Sequence, residues 1–225
     1  MKNVGCLIVN NFNRPELELV NLFCDLPVAN IGDCMNRIGA IDPHIYPMNK
    51  TPLLGVAFTV KVPEGDNLMF HKAMDMAKPG DVIMIDAGGD INRAILGELM
   101  ISYCQSKGIA GVVVDGSVRD AEALREMNFP VYAKGITPNG PYKNGPGEIS
   151  TPITIGGKVV NPGDIIVGDQ DGIVIIKPED AEELAKQTKQ VMEKEISIMD
   201  KILNKGTYDR PWVDEKLVEI GSEYR

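Results

Sequence analysis

Glu98 and the adjacent pair Arg119-Asp120 are the residues whose types and spacing point most directly to chemistry. Twenty residues lie between the lone carboxylate and the pair. The carboxylate sits at an expected helix start, and the pair follows an expected buried strand one β-α step later. Such an arrangement can hold a divalent metal and a small oxyanion together. Asp is a hard oxygen ligand suited to Mg²⁺, which accepts one protein carboxylate while water and substrate complete its octahedron. Arg forks onto a carboxylate or keto oxygen.

A helix beginning near Leu96 or Gly97 puts the amides of Leu99 and Met100 in its first turn. Those N–H groups lack intrahelical partners and carry the positive end of the helix dipole. The upstream stretch Ala87-Gly88-Gly89-Asp90 lets backbone approach a ligand, so loop and helix start together can form a carboxylate site. Each feature also has a plain structural reading. The glycines serve a turn, Glu98 is a favourable first-turn charge, and Asp120 caps a helix with Arg119 paired at the surface. Glu193 and Glu195 read as the solvated face of a long C-terminal helix. Asp169 and Asp171 read as turn formers, and Met74, Met76, Met84 and Met100 as core. Nothing marks Lys61 or Lys134 as a desolvated nucleophile.

The elements that must position these groups follow from hydrophobic period and turn chemistry. Residues 1–50 read as helices and connectors, with one helix over 15–24 and a cap at 30–33 leading into a second. Residues 51–177 read as an α/β core. Strands are expected at 55–62, 81–86, 111–115, 131–134, 165–167 and 172–176. Helices are expected at 67–77, 92–106 and 120–127, the first capped by Asp66. Apolar runs alternating with helices indicate a parallel sheet covered on both faces. Residues 135–150 are rich in Gly, Pro and Asn, the mark of a functional loop. Gly156-Gly157 signals a hairpin over 153–160. Pro178 opens a helix to about residue 204, within a C-terminal segment of 178–225. PGDVIMIDAGGD and PGDIIVGDQDGI share turn chemistry. No linker divides the chain, so 1–225 reads as a single domain.

Composition narrows the function classes. The formal charge of −9 opposes a phosphate backbone, which argues against nucleic acid. Aromatics at 5% supply few stacking platforms. Two histidines, His44 and His71, argue against a histidine zinc site or a catalytic triad. Cys6, Cys24, Cys34 and Cys104 form no metal-ligand spacing and read as buried free thiols in a reducing compartment. No apolar run reaches the ~18 residues of a membrane span, and Met1-Lys2-Asn3-Val4 has no signal-peptide character. Cytoplasmic residence is the expectation.

The segments GDNLMFHKA, PGDVIMIDAGG, GELM, GVVVDGSVRD and ITIGGKVVNPGDIIVGDQDG, with the Pro178 helix, resemble the RraA-like family. That family includes the 4-hydroxy-4-methyl-2-oxoglutarate/4-carboxy-4-hydroxy-2-oxoadipate aldolases. The resemblance runs from about residue 30 to 204. It implies an α/β sandwich similar to swivelling β/β/α domains, assembled as trimers or hexamers with active sites between subunits. It puts a divalent metal, Mg²⁺ or Mn²⁺, on Asp120 and a pyruvate oxygen on Arg119. Leu99 and Met100 would supply amides to the pyruvate carboxylate. Glu98, standing where the aldolases usually carry Asp, would hold a catalytic water with an acidic residue from a neighbouring C-terminal helix. Glu195 is the choice for that residue, ahead of Glu193. The implied activity is a lyase that releases pyruvate from a small oxo acid and decarboxylates oxaloacetate. The same family contains non-catalytic regulators that bind a ribonuclease, and a lyase or dehydratase acting on sugar acids is a third reading.

Overall fold

A computed structural model describes residues 4–223. The Met1-Lys2-Asn3 start and the last two residues of the expected tail lie outside the described residues. The elements run β1 (Cys6–Ile8), α1 (Leu17–Val20) with a 3₁₀ turn at Asn21–Phe23, α2 (Val28–Cys34), β2 (Tyr46–Pro47), β3 (Leu53–Lys61) and α3 (Leu68–Met76). They continue with β4 (Asp81–Asp86), β5 (Ala94–Leu96), α4 (Glu98–Ser106), β6 (Gly111–Val118), α5 (Ala121–Glu126), β7 (Val131–Ile136) and β8 (Gly147–Ile149). The hairpin β9 (Ile153–Ile155) and β10 (Lys158–Val160) follows, then β11 (Ile165–Asp169) and β12 (Gly172–Ile176). A 3₁₀ turn at Pro178–Asp180 leads into α6 (Ala181–Lys205), and α7 (Pro211–Glu219) comes last.

The main sheet has the order β1-β8-β3-β4-β6-β7-β2. Its centre, β3-β4-β6-β7, is parallel. Antiparallel pairs of β3 with β8 and β11, and of β7 with β2, make the whole mixed. Because strand side chains alternate, successive residues of β4 and β6 enter different cores. Ile83, Ile85, Val112 and Val114 pack with Phe70, Met74, Ile101, Cys104 and Leu124 of α3, α4 and α5. Val82, Met84 and Val113 pack with Ile153 and Ile155 of the hairpin and with Ile41 and Ile45. Helices therefore cover one face, and hairpin and loop the other. This is the expected α/β sandwich.

Several local expectations are corrected. Residues 92–106 are not one helix, because Ala94–Leu96 form a buried strand parallel to β6. Their backbone is satisfied by distant partners: Ala94 N–H donates to Asn139 O, and Leu96 O accepts from Arg119 N–H. The second helix starts at Val28 rather than near residue 34, directly after Pro27. Its first turn is capped by Asp169 Oδ2, 3.0 Å from Val28 N and far away in sequence. β1 and β8 lie where connector and loop were expected, and they pair with each other. The hairpin glycines, Gly156 and Gly157, adopt φ of +51° and +75°, as a primed two-residue turn requires. The four cysteines are free, but only Cys104 is buried; Cys6 and Cys24 are exposed. No helix among the described residues is long and apolar enough to cross a membrane.

The chain divides into two compact units after Thr188. The first contains both cores. The second begins within α6 and contains α7, a helix the sequence pattern did not suggest.

Beyond the pairing of β1 with β8, an ion pair ties the N-terminal segment to the sheet. Arg14 binds Asp81 through two bonds of 2.8 Å, and Asp81 is 1% exposed. Removing one partner of such a pair strands the other charge. Arg14→Met is therefore expected to cost about 3 kcal/mol in urea unfolding. A loss below about 1 kcal/mol would show the pair to be no anchor.

Candidate active site

Gly97 separates β5 from α4, with extended backbone at φ −155°. A Cβ at this position would overlap Asp120 Oδ2 and press on the Arg119 side chain. The absence of a side chain lets the Arg119-Asp120 pair close onto the start of α4. Asp120 Oδ2 accepts the Glu98 N–H at 3.0 Å. Asp120 stands at the N-cap position of α5 but makes no side-chain cap bond to its own helix. It caps α4 instead, from a left-handed backbone at φ +56°, ψ +40°. Such a conformation costs a non-glycine residue about 1–3 kcal/mol and persists where surroundings impose it.

One cleft of about 370 Å³ gathers Leu99, Met100, Arg119 and Asp120. The Leu99 N–H has no acceptor among the described residues, so it is available to an anion. Met100 N–H is already engaged by Gly97 O at 3.2 Å, which corrects the expectation that both amides are open. Glu98 has an exposed side chain and does not line the cleft. Glu193 and Glu195 are exposed residues of α6 in the second unit.

The glycine loop after β4 lies outside this cleft, contrary to expectation. Its amides are consumed internally: Gly88 N–H by Asp86 Oδ1, Gly89 N–H by Asp115 O and Asp90 N–H by Ala87 O. Asp115 is structural as well. It pairs with Lys134 at 3.2 Å and accepts Gly156 N–H at 3.0 Å, joining β6 to the hairpin on the far face.

The cleft also contains Asn67, His71 and Lys143, which sequence reasoning did not single out. The first two were visible as an i, i+4 pair within GDNLMFHKA, a spacing that shares one helix face. Lys143 belongs to the Gly- and Pro-rich stretch and had no period to reveal it. Asn67 is buried, and its Nδ2 donates to Ile95 O at 2.9 Å. Its Oδ1 is buried without a partner. Burial and then the Lys143 charge hold the His71 pKa below the ordinary histidine value, with Asp75 opposing.

The donor set fits a weakly caged hard cation. No group of three or more His, Cys, Asp or Glu side chains converges among the described residues. A zinc or calcium cage is thus not supplied there. A Mg²⁺-type ion needs only one carboxylate, because it keeps several waters. Asp120 is half-exposed, and its Oδ1 has no protein partner among the described residues.

The fold is an α/β sandwich in which an Arg-Asp pair faces the start of a helix across one cleft. The chain belongs to the RraA-like family, Aldolase/RraA, whose model matches residues 28–175. A Halalkalibacterium halodurans protein named "Putative 4-hydroxy-4-methyl-2-oxoglutarate aldolase" is 40% identical over 79% of this chain and 85% of its own. The RNA-processing inhibitor RraA from Thermus thermophilis is 30% identical with a TM-score of 0.62, over 67% of this chain and 92% of that one. An uncharacterised Pseudomonas syringae protein shares the fold at a TM-score of 0.78 and 24% identity, over 88% and 94% of the two chains.

Two predictions follow from the geometry. Gly97→Ala is expected to push Asp120 off the Glu98 amide, costing about 2 kcal/mol in urea unfolding. If Asp120 holds a cation, Mn²⁺ binding, read by electron paramagnetic resonance, should weaken about tenfold as that carboxylate loses its orientation. Unchanged Mn²⁺ affinity would separate Asp120 from metal binding. Second, His71 should titrate by NMR below the ordinary histidine range. Its folded-state pKa lies below its unfolded one, so stability is lost as pH falls through that window. Lys143→Gln should restore the midpoint only partly, since burial is the larger cause; full restoration would contradict that order.

Proposed function

We propose that this chain is a divalent-metal-dependent lyase that cleaves a 4-hydroxy-2-oxo acid such as 4-hydroxy-4-methyl-2-oxoglutarate to pyruvate. Oxaloacetate decarboxylation would share its site. The observation that carries this reading is the meeting of Arg119, Asp120 and the first turn of α4 in one cleft. The name of the 40% identical relative supports it.

Asp120 would hold Mg²⁺ or Mn²⁺, which supplies Lewis-acid charge beside the keto oxygen. The Leu99 amide, at the positive end of α4, binds the substrate's 1-carboxylate. The Arg119 guanidinium meets the keto oxygen, where negative charge grows as the C3–C4 bond breaks and an enolate forms. Lys143, Asn67 at the cap of α3 and His71 on its first turn complete the walls, so the cleft carries positive charge for a second carboxylate. With neutral His71, that charge comes from Lys143. Through water, the exposed Glu98 carboxylate takes the C4 hydroxyl proton as the C4 carbonyl forms and returns a proton to C3 of the enolate. Glu195 from a neighbouring copy assists, in an assembly of three or six chains.

The 30% identity to the Thermus RraA supports a second reading, a regulator that binds a ribonuclease. The two readings differ in their dependence on Asp120. Pyruvate release from oxaloacetate and 4-hydroxy-4-methyl-2-oxoglutarate is expected with Mg²⁺ and not with EDTA. Arg119→Ala should lower kcat/KM by about 10²–10³. Asp120→Ala should abolish release while the fold, by circular dichroism, persists. A wild-type chain that releases no pyruvate from either compound overturns the lyase reading and favours the regulator.

A further inference from the structure

Between β7 and β8 the chain runs through residues 137–146 without a helix or a strand. A segment with no ladder of its own must satisfy its backbone groups elsewhere. Asp66 does much of this. The residue is 3% exposed, yet its carboxylate takes three backbone N–H groups. Oδ1 accepts from Leu68 at 2.9 Å, capping α3. Oδ2 accepts from Asn144 at 2.6 Å and Gly145 at 3.1 Å. Beside it, Asn67 N–H donates to Tyr142 O at 3.0 Å, and Tyr142 N–H donates to Gly65 O at 2.8 Å. The start of α3 and residues 142–145 are thereby joined along their length.

Arg93 holds the same loop from another side. Its Nη1 donates to Gly140 O at 3.2 Å and its Nη2 to Tyr142 Oη at 2.8 Å, with the guanidinium 4.2 Å from the Tyr142 ring centre. The loop residues so held include Gly140, Pro141 and Lys143, all of which line the cleft. Lys143 follows one residue after Tyr142 and precedes Asn144, so the anchored bonds bracket it. Lysine is a point charge on a flexible stem, and its reach is set by where its backbone stands.

We propose that Asp66 is a positioning residue: its buried carboxylate fixes residues 140–145 at the cleft and so sets Lys143 against the second carboxylate of a dianionic oxo acid. This rests on the lyase reading for the substrate, but not for the anchor. Asparagine at position 66 cannot accept on both sides, because its NH₂ would face donors on one of them. Bonds between a carboxylate and backbone amides are among the stronger ones, so their loss should be visible.

The experiment compares wild type, Asp66→Asn, Lys143→Gln and the double variant, with Mg²⁺ and oxaloacetate. KM is expected to rise about tenfold in Asp66→Asn, with kcat within about twofold and Mn²⁺ affinity unchanged. The double variant should be no worse than Lys143→Gln alone, because Asp66 acts through Lys143. Additive effects would overturn the proposal, as would a fall in kcat at unchanged KM. Amide exchange, measured without substrate, reads the anchor itself. Exchange at Asn144 and Gly145 should accelerate about a hundredfold in Asp66→Asn, and unchanged exchange overturns the proposal. If wild type releases no pyruvate while exchange accelerates, the lyase reading fails and the anchor stands. Should Asp66→Asn not fold, Arg93→Gln loosens the same loop. It should raise KM in the same direction, again without adding to Lys143→Gln, and an unchanged KM overturns the proposal.

Discussion

The 3.0 Å bond from Glu98 N–H to Asp120 Oδ2 is the contact on which the candidate site depends. It joins two β-α connections that meet only because β5 and the end of β6 run side by side. Gly97 makes it sterically open, and the left-handed backbone of Asp120 aims the carboxylate at it. The same contact assigns the amides of α4. Glu98 N–H is spent on Asp120, Met100 N–H turns back to Gly97, and Leu99 N–H has no acceptor among the described residues. The carboxylate that caps the helix is thus the one suited to a cation. On the proposed reading, one short bond makes the anion and cation positions neighbours.

The sheet places this contact at the carboxyl ends of parallel strands, where ligands gather in open α/β folds. The carboxyl ends are not equivalent, however. After β4, the glycine loop folds onto itself and onto Asp115, whose carboxylate ties β6 to the hairpin. After β6, the chain turns outward through Arg119 and Asp120. The loop after β7 then closes the remaining wall through Asp66 and Arg93. Charge follows this division. Lys134 is neutralised by buried Asp115, whereas Lys143 and Arg119 face the cleft.

Much of the fold was legible because burial leaves a local imprint. The runs Asp81–Asp86 and Gly172–Ile176 are strands at the expected bounds, since continuous apolar residues between turns have few other uses. The hairpin was announced by Gly156-Gly157, and α6 by Pro178. Local pattern failed where a distant partner supplied the deciding bond. The onset of α2 depends on Asp169, and β5 on β6, Arg119 and Asn139. β1 and β8 are three residues each and pair across most of the chain. No window of sequence contains such information.

The sequence by itself determined the chemical types at the site: a guanidinium beside a carboxylate after a buried strand, and a helix start after a glycine. Those are properties of residue identity and short spacing. It also marked the chain as a member of the RraA-like family, a membership that leaves catalysis and regulation both open. Only the tertiary structure decided which amide of α4 stays open and that the glycine loop is not part of the cleft. It alone brought Asn67, His71 and Lys143 to the same walls. The reason is physical: a hydrogen bond selects one acceptor by distance and direction, and the chain separation of the partners does not enter. Identity can be read along the sequence, whereas the choice of partner exists only once strands and loops are packed.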